Sequence, residues 1–280
     1  MLANTMITFI QQLRTKLFRR KAPSAKTITI RGIRLRFAVI EGDSGDQVRS
    51  GFEAEVYEYI DTLPTNSVFY DLGASIGHFA LYAAARGLRT YAFEPDLKNF
   101  NALSLNKTTN GLSNLAIFNI AISYGATRSG VLLSNSKKQR TGDHHKVLKV
   151  ADNSVSPSVI GNLDTEQIVR TFSIDEMVTI HGLPLPNYMK IDIDGSEVAL
   201  LEGGRETFAN PALHGFIIEL AKDSQYYERI GGALNAFGFS PVQEYQICSS
   251  VGFEPNLFNI VFSRSQSIAV DSNAPSFGTT

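Results

Sequence analysis

The amino-acid sequence predicts a doubly wound α/β domain built on a mostly parallel sheet. Short apolar runs alternate with stretches of helical periodicity through most of the 280 residues, which is the pattern of strands joined by crossover helices. A glycine-containing turn links the first such strand to its helix within residues 68–96. Polar residues stand at or near the ends of the predicted strands, where ligands bind in sheets of this kind: Asp71, Glu94, Asn119, Asp192 and Glu219.

The chain before this unit predicts a hairpin and a helix. Residues 27–30 and 33–39 alternate in polarity around a central Arg-Gly pair, which is typical of a short antiparallel hairpin. Residues 52–63 carry apolar positions at helical spacing, with acids near the start of the segment. Pro64 ends this predicted helix.

The first strand, turn and helix open a regular series of elements. Residues 68–70 predict a buried strand, the alanine-rich stretch after Gly77 predicts a helix, and residues 90–93 predict a second strand. Residues 97–107 predict the next crossover helix. An Asn-Gly turn then leads to a third strand over residues 115–122.

The second half of the sequence continues the alternation after an irregular segment. Residues 124–162 are rich in Ser, Asn, Lys and Gly and predict a β-hairpin excursion with loops, not a separate domain. The elements predicted after it are a strand over 167–172, a helix over 174–180, a buried strand over 188–193, a helix over 197–208 weakened by a Gly-Gly pair, a strand over 216–220, a helix over 226–237, and two closing strands over 241–247 and 257–262. We therefore expect a main domain over residues 51–264, an N-terminal extension over 1–50 made of a basic amphipathic helix and the hairpin, and a polar, flexible tail over 265–280.

Composition and charge limit the class of protein. The net charge of −1 gives no electrostatic basis for nucleic-acid binding. Cys248 is the single cysteine, which excludes an internal disulfide and favours a reduced, cytoplasmic setting. No apolar run approaches the roughly 18 residues that span a bilayer. Residues 1–22 combine apolar and basic residues without an acid. This predicts a terminal helix with solvated basic residues or, alternatively, peripheral contact with an anionic membrane surface.

The glycine turn and the acids around it predict a nucleoside site. Gly73 and Gly77 allow a sharp turn and a close approach to a ligand, and Glu94 at the end of the next strand is placed to accept hydrogen bonds from a ribose diol. Dinucleotide folds require a third glycine, which is missing here. Asp71, at the start of the turn, suits a ligand with an ammonium group and repels a diphosphate. S-adenosylmethionine (SAM) therefore fits better than NAD, and a ligand-free turn of another α/β domain is the alternative.

Three charged residues alternate along the strand predicted over residues 188–193. Lys190, Asp192 and Asp194 project to one face near its carboxyl end, where an acid can act as general base toward a hydroxyl. We expect Asp192 or Asp194 to be that base, with Lys190 orienting it. Glu197, which opens the next helix, is the next candidate. A structural ion pair for Lys190 and Asp192, and a helix-terminus role for Glu197, remain alternatives.

The histidines predict no metal site. His144 and His145 stand together in the irregular segment, but further ligands at metal-binding spacing are missing. His78, directly after the glycine turn, is expected to pack or to contact the cofactor. The basic residues of the irregular segment predict a solvated loop or, where such a loop faces the strand ends, recognition of an anionic glycan.

Three segments of the sequence resemble a known family, the FkbM-type methyltransferases, a branch of the class I SAM-dependent methyltransferases. They read YDLGASIGHFALYAA with AFEPD and NIAIS, then TFSIDEMV, then MKIDIDGSEVALLEGG with IIEL. The third segment is much more specific to the family than the first. The resemblance covers about residues 52–220. Ser75 stands where the family commonly has Asn, and Asp194 stands where Glu is usual.

The resemblance implies a class I methyltransferase (Rossmann-like) fold with an antiparallel closing strand, and transfer of the SAM methyl group to a hydroxyl. The acceptor would be a sugar in a glycan or glycoconjugate, and a small secondary metabolite is the alternative acceptor. A non-catalytic SAM-binding scaffold is the alternative function. By this likeness Asp71, Gly73 and Gly77 line the methionine part of SAM, and Asp192 lies beside the methionine end and the incoming hydroxyl. Glu94 takes the ribose, and Asn119 lies near the adenine. The expected cofactor-binding set is completed by Ala74, Ser75, Pro95 and Ala121.

Overall fold

The computed structural model describes residues 24–38, 53–125, 129–134, 145–149, 166–193, 195–222, 225–249 and 252–264. Several expectations lie outside these ranges: the N-terminal helix over 1–22, the tail over 265–280, the position of Asp194, and much of the 124–162 segment. They stay predictions.

An antiparallel hairpin precedes the main sheet, as expected. Its strands are β1 (Ala25–Ile30) and β2 (Ile33–Ala38). Alternate side chains of the hairpin, Leu35 and Phe37 among them, are buried in the core on one face of the main sheet. This follows from the period of two along a strand, which sends every second residue to the same face.

The remaining strands form two sheets. In chain order they are β3 (Val68–Leu72), β4 (Arg89–Phe93), β5 (Leu115–Phe118), β6 (Ala121–Ile122), β7 (Ser129–Ser134), β8 (His145–Lys149), β9 (Glu166–Phe172), β10 (Tyr188–Ile191), β11 (Gly215–Ala221), β12 (Phe239–Ser249) and β13 (Gly252–Arg264). The main sheet has the order β12-β13-β11-β10-β3-β4-β5. Its strands β11, β10, β3, β4 and β5 are parallel, and β13 and β12 close one edge in antiparallel pairing. The predicted fold class is confirmed.

The helices cover both faces of the main sheet. They are α1 (Ala54–Thr62), α2 (His78–Ala85), α3 (Leu97–Asn110), α4 (Ile174–Thr179), α5 (Glu197–Gly203), α6 (Arg205–Ala209) and α7 (Gln225–Ala236). Apolar residues of α1 to α3 share one core with the hairpin, and those of α4 to α7 share the core on the other face. Strand order reverses between β3 and β10, so their carboxyl ends open a crevice where sheets of this kind bind ligands.

The second sheet was only partly predicted. Strands β7 and β8 form the expected hairpin, but they pair further with β9 and β6 in the order β6-β9-β7-β8. The single strand expected over 115–122 was wrong, because the chain leaves the main sheet at Asn119 and its second part joins β9.

The single helix expected over 197–208 was also wrong. It is divided into α5 and α6 at a Gly-Gly pair. A Cβ on Gly203 would lie 2.5 Å from the backbone oxygen of Ser123, and one on Gly204 would lie 2.6 Å from the Ile174 side chain. The two glycines therefore allow close packing of this junction against α4, at the cost of helix continuity.

Asparagine side chains tie the hairpin to α3. Asn106 is buried, accepts a hydrogen bond from the Ala38 amide at 2.7 Å and donates to the Ile76 carbonyl at 2.9 Å. Asn110 exchanges two hydrogen bonds with the backbone of Arg36. The hairpin and the glycine turn after β3 are thus held by the same helix.

Within the described residues, no helix has both the length and the apolar character that crossing a membrane requires.

Arg264, at the end of β13, is expected to be a main contributor to stability. Its guanidinium donates to four backbone carbonyl oxygens at 2.6–3.0 Å, those of Phe208, Asn210, Leu213 and Phe237. Because replacement leaves these partly buried acceptors without a donor, Arg264→Met should lower the free energy of unfolding by about 2–4 kcal/mol in urea titrations.

The matched control is Arg229→Met, since Arg229 is exposed and pairs with Glu202 at 3.8 Å. That change should alter the free energy of unfolding by less than about 0.5 kcal/mol. Equal effects of the two substitutions would contradict the role assigned to Arg264.

Candidate functional site

A buried lysine lies at the centre of the crevice between β3 and β10. Lys190 of β10 stands directly opposite Asp71 of β3 in the parallel register, so both side chains project from the same face of the sheet. The Lys190 Nζ donates to Asp192 Oδ2 at 2.9 Å and to the Gly73 carbonyl at 3.2 Å, and lies 3.9 Å from Asp71 Oδ1. The predicted contact between Lys190 and Asp192 is present.

Burial and charge shift the pKa values of this group in a consistent way. Burial opposes the charged form of Lys190, but the carboxylates around it outweigh burial and raise its pKa. Burial raises the pKa of Asp71 to about 6, although the Lys190 ammonium acts in the opposite direction. Lys190 is therefore a permanent cation, and Asp71 is a fully buried acid whose ionised form depends on it.

The glycine turn after β3 is dictated by the packing of the chain itself. Gly73 has a φ of +81°, and a Cβ there would lie 1.8 Å from the backbone oxygen of Asp192. Gly77 has a φ of +96°, and a Cβ would lie 2.4 Å from a methyl group of Leu103. No other residue fits either position without moving the backbone or α3. The turn thereby lies directly against the residue that follows β10.

Ser75, in the middle of this turn, also has a left-handed backbone, with a φ of +49°. Asn tolerates this conformation better than Ser does, which gives a physical reason for the Asn that the resembled family commonly has here. Ala74 is buried, and its amide donates to the Phe93 carbonyl at 3.0 Å.

Glu94 lies buried at the end of β4, as the sequence predicted. Its carboxylate accepts from the Ser75 amide at 2.6 Å and from the Asp96 amide at 2.8 Å. Burial raises the pKa of Glu94 to about 8, although both amide hydrogen bonds favour the ionised form. A carboxylate has about four lone-pair positions, so two remain for further donors such as a ribose diol.

A cavity of about 620 Å³ opens beside Glu94. Pro95 and Asn119 line it, together with mostly apolar side chains that include Phe118, Phe172 and Met177. The Asn119 amide donates to the carbonyls of Glu94 and Pro95, each at 2.9 Å. These bonds fix the loop that follows β5 against the loop that follows β4. An apolar slot with a polar rim suits a flat heteroaromatic ring.

Two predicted site residues have surroundings that the sequence did not indicate. Ala121 is buried in β6, where it packs against Val169 of the second sheet. Glu219 lies within β11 opposite Asn259 of β13, not at the end of the strand.

Glu197 opens α5 and takes part in a contact that the sequence did not reveal. It is buried, accepts from the Gly195 amide at 3.1 Å and accepts from the Tyr226 hydroxyl at 2.5 Å. Burial raises the pKa of Glu197, while the Tyr226 hydrogen bond acts against that rise. Tyr226 lies 29 residues further along the chain, on α7. No local pattern in the sequence connects the two residues.

Glu53 is a second residue that the sequence did not single out. It precedes α1, and its carboxyl group lies near Asp192 and Lys190. Burial raises its pKa to about 7, and the negative charge of Asp192 adds to the rise.

Two described histidines lie near the site, and neither contacts the acids around Lys190 in a described interaction: His181 lines the cavity beside Glu94, and His78 follows the glycine turn. The His78 ring is buried and stacks on Phe37, with ring centroids 4.9 Å apart, so it packs as expected. In the part of the chain that the structure describes, no three His, Cys, Asp or Glu side chains are grouped so that they could hold a metal ion.

The residues present fit SAM. Glu94 retains acceptors for a ribose, and the apolar cavity beside Pro95 suits a purine. Neither carboxylate oxygen of Asp71 has a well-formed hydrogen bond to a described residue. The acids around Lys190 give this end of the crevice a negative potential, which would suit the positively charged ammonium and sulfur of the cofactor.

Comparisons with known proteins identify the family of the chain. The family described as the methyltransferase FkbM domain matches residues 71–254, the greater part of the chain. Hexuronic acid methyltransferase AglP from Haloferax volcanii is 25% identical over 139 residues, 49% of this chain and 50% of that protein. The chain thus spans about half the length of this relative.

Similar solved structures include methyltransferases of low sequence identity. Precorrin-6y C5,15-methyltransferase from Geobacter metallireducens has 10% identity and a TM-score of 0.45, over 82% of this chain and 94% of that one. TYW2 from M. jannaschii in complex with AdoMet has 12% identity and a TM-score of 0.44, over 87% and 88%. On the match over residues 71–254, the chain belongs to the FkbM methyltransferase family, and its cofactor is S-adenosylmethionine.

Proposed function

We propose that this enzyme transfers a methyl group to a hydroxyl oxygen of a sugar in a glycan or glycoconjugate. The observation that carries this proposal is the setting of Asp192. Its side chain is 20% exposed, whereas its partner Lys190 is 4% exposed. A carboxylate that is fixed by a buried ammonium and open on one side can accept the proton of an alcohol. The hexuronic acid methyltransferase AglP, a relative of this chain, supports a sugar acceptor.

The cofactor-binding residues divide by the part of SAM that they would hold. Glu94 takes the ribose hydroxyls, and the cavity beside Pro95 and Asn119 takes the adenine. The turn from Gly73 to Gly77 and the acids beside Lys190 take the methionine end. When bound, SAM supplies a methyl group on a positively charged sulfur, which is an electrophile.

The residues of the chain then have three tasks at the acceptor. Asp192 would receive the hydroxyl proton as the acceptor oxygen bonds to the methyl carbon and the sulfur–methyl bond breaks, which leaves S-adenosylhomocysteine as the second product. Lys190 keeps the Asp192 carboxylate in one orientation through its charge-assisted hydrogen bond. Glu197, which accepts a hydrogen bond from Tyr226 and interacts electrostatically with Asp192, would help to position the acceptor. Much of the acceleration of an in-line displacement comes from such alignment.

Glu94 should control SAM affinity. Glu94→Ala removes the acceptor of two ribose hydroxyls and of two backbone amides, so we expect SAM to bind at least about tenfold more weakly in calorimetric titrations. Glu94→Gln, which keeps the shape of the side chain, should show a loss of the same kind. A folded Glu94→Gln protein with unchanged SAM affinity would contradict the assignment.

SAM binding should also depend on pH through Glu94. Its pKa of about 8 in the free protein should fall when hydroxyl donors bind the ionised form. Binding below pH 8 then releases a proton, and affinity rises as the pH is raised from 6 to 8. Titrations in buffers of different ionisation enthalpy measure this release. The part due to Glu94 should be missing in Glu94→Gln.

Asp192 should affect turnover more than cofactor binding. Asp192→Asn removes the proton acceptor, and general bases contribute about 10²–10⁴-fold. We therefore expect kcat to fall by about 10²-fold or more, with SAM affinity lowered by about tenfold or less. Equal losses in kcat and in SAM affinity would indicate a binding role only.

The acceptor can be tested with SAM that carries a labelled methyl group and a panel of neutral sugars, uronic acids and glycoconjugates. Methylation of a hydroxyl gives an ether that survives base, whereas methylation of a carboxylate gives an ester that base removes. Base-stable label in a sugar would support the proposal. Label found only as base-labile ester would overturn it.

A further inference from the structure

Glu53 adopts an unfavourable backbone conformation, and its side chain does not cap the helix that follows. It stands immediately before α1 with φ 41° and ψ 63°, in the left-handed region. A residue with a long side chain seldom adopts this conformation unless its surroundings impose it. A carboxylate at a helix N-terminus ordinarily accepts from the free amides there, but the Glu53 side chain makes no such cap. Helix capping therefore does not account for the residue.

The Glu53 carboxyl group is turned toward the crevice. It interacts electrostatically with Asp192 and Lys190, and it hydrogen bonds with the side chain of Asn259. Asn259 is buried on β13, and its amide also donates to Glu55 at 2.9 Å. One buried amide from the closing strand thus holds the start of α1 over the carboxyl ends of β3 and β10.

The charges in this group do not balance. Three carboxylates, those of Glu53, Asp71 and Asp192, surround the single ammonium of Lys190. Asp71 is fully buried in this group, and neither of its oxygens has a well-formed hydrogen bond to a described residue. Excess negative charge and unmet acceptors in a buried site favour a ligand that brings both a positive charge and hydrogen-bond donors.

We propose that Glu53 is a cofactor-binding residue that accepts a hydrogen bond from the α-ammonium group of SAM, beside Asp192. The inference rests on the methionine end of SAM lying at Lys190, as proposed above. The ammonium group is favoured over the sulfonium because it alone carries N–H donors. Glu53 and Asn259 both lie outside the residues 71–254 that match the family, so this contact is supplied by the segments that flank the family domain.

Calorimetric titration of Glu53→Gln with three ligands tests the inference. SAM and S-adenosylhomocysteine both carry the ammonium group, and methylthioadenosine carries neither the ammonium group nor the sulfonium. Loss of a charge-assisted hydrogen bond should weaken the first two ligands in parallel, by about tenfold or more. Methylthioadenosine should bind Glu53→Gln as it binds the wild type.

The matched control is Glu58→Gln, on the same helix. The Glu58 side chain is 49% exposed and pairs with Arg31 at 3.5 Å. The Glu58→Gln substitution should leave the affinities for all three ligands unchanged. Thermal melts of both variants check that the fold is kept.

Each other outcome has a definite meaning. Unchanged affinities in Glu53→Gln, or an equal loss for methylthioadenosine, would overturn the inference. A loss for SAM alone would overturn the ammonium assignment, because S-adenosylhomocysteine keeps the ammonium group and lacks only the methyl group and the charge that it gives to sulfur. A wild-type protein that binds none of the three ligands would instead count against the proposed site itself.

Discussion

The buried ammonium of Lys190 is the interaction on which the rest of the site depends. It lies between two parallel strands, opposite Asp71, and it joins the glycine turn after β3 to the residue that follows β10. Without it, the carboxylates around it would repel one another in a poorly solvated crevice. With it, they stay together where the strand order reverses. A single buried ammonium group therefore stabilises the negative charges that are concentrated at this site.

Backbone packing fixes the position of that charge. The carbonyl of Gly73, which accepts from Lys190, is held because the Cα of Gly73 lies directly against the backbone oxygen of Asp192. At the other end of the turn, the Ser75 amide binds Glu94. A few residues thus connect the end of the crevice assigned to methionine with the end assigned to ribose and adenine. A substitution that moves Lys190 should therefore also move Glu94, because the short glycine turn connects the two residues.

The sequence predicted the features that arise from local pattern. The buried runs of β3 and β4, the glycine turn and the acid at the end of β4 follow from periodicity and from the special conformations of glycine. Alternation along β10 predicted that Lys190 and Asp192 share a face, and the two are hydrogen bonded.

The missed features arise from contacts between distant segments. The break after β5 depends on the Asn119 amide binding the loop after β4. The division between α5 and α6 depends on Ser123 and Ile174 lying close to two glycines. Glu53 reaches the site through a left-handed backbone and through Asn259, which also holds Glu55 across 204 residues of sequence. No sequence pattern reports such contacts.

The charge of Lys190, and not its bulk, holds the acids of the site together. The direct measurement is the free energy of unfolding of wild type and Lys190→Met at pH 5.5 and pH 8. Removing the cation should raise the pKa values of Asp71 and Glu53 further above their values in the unfolded chain. Because acids with a raised pKa in the folded state lose stability as the pH rises, the deficit of Lys190→Met should be larger at pH 8, by about 1 kcal/mol or more. The same deficit at both pH values would show that Lys190 serves only to fill space and that its charge does not hold the acids together.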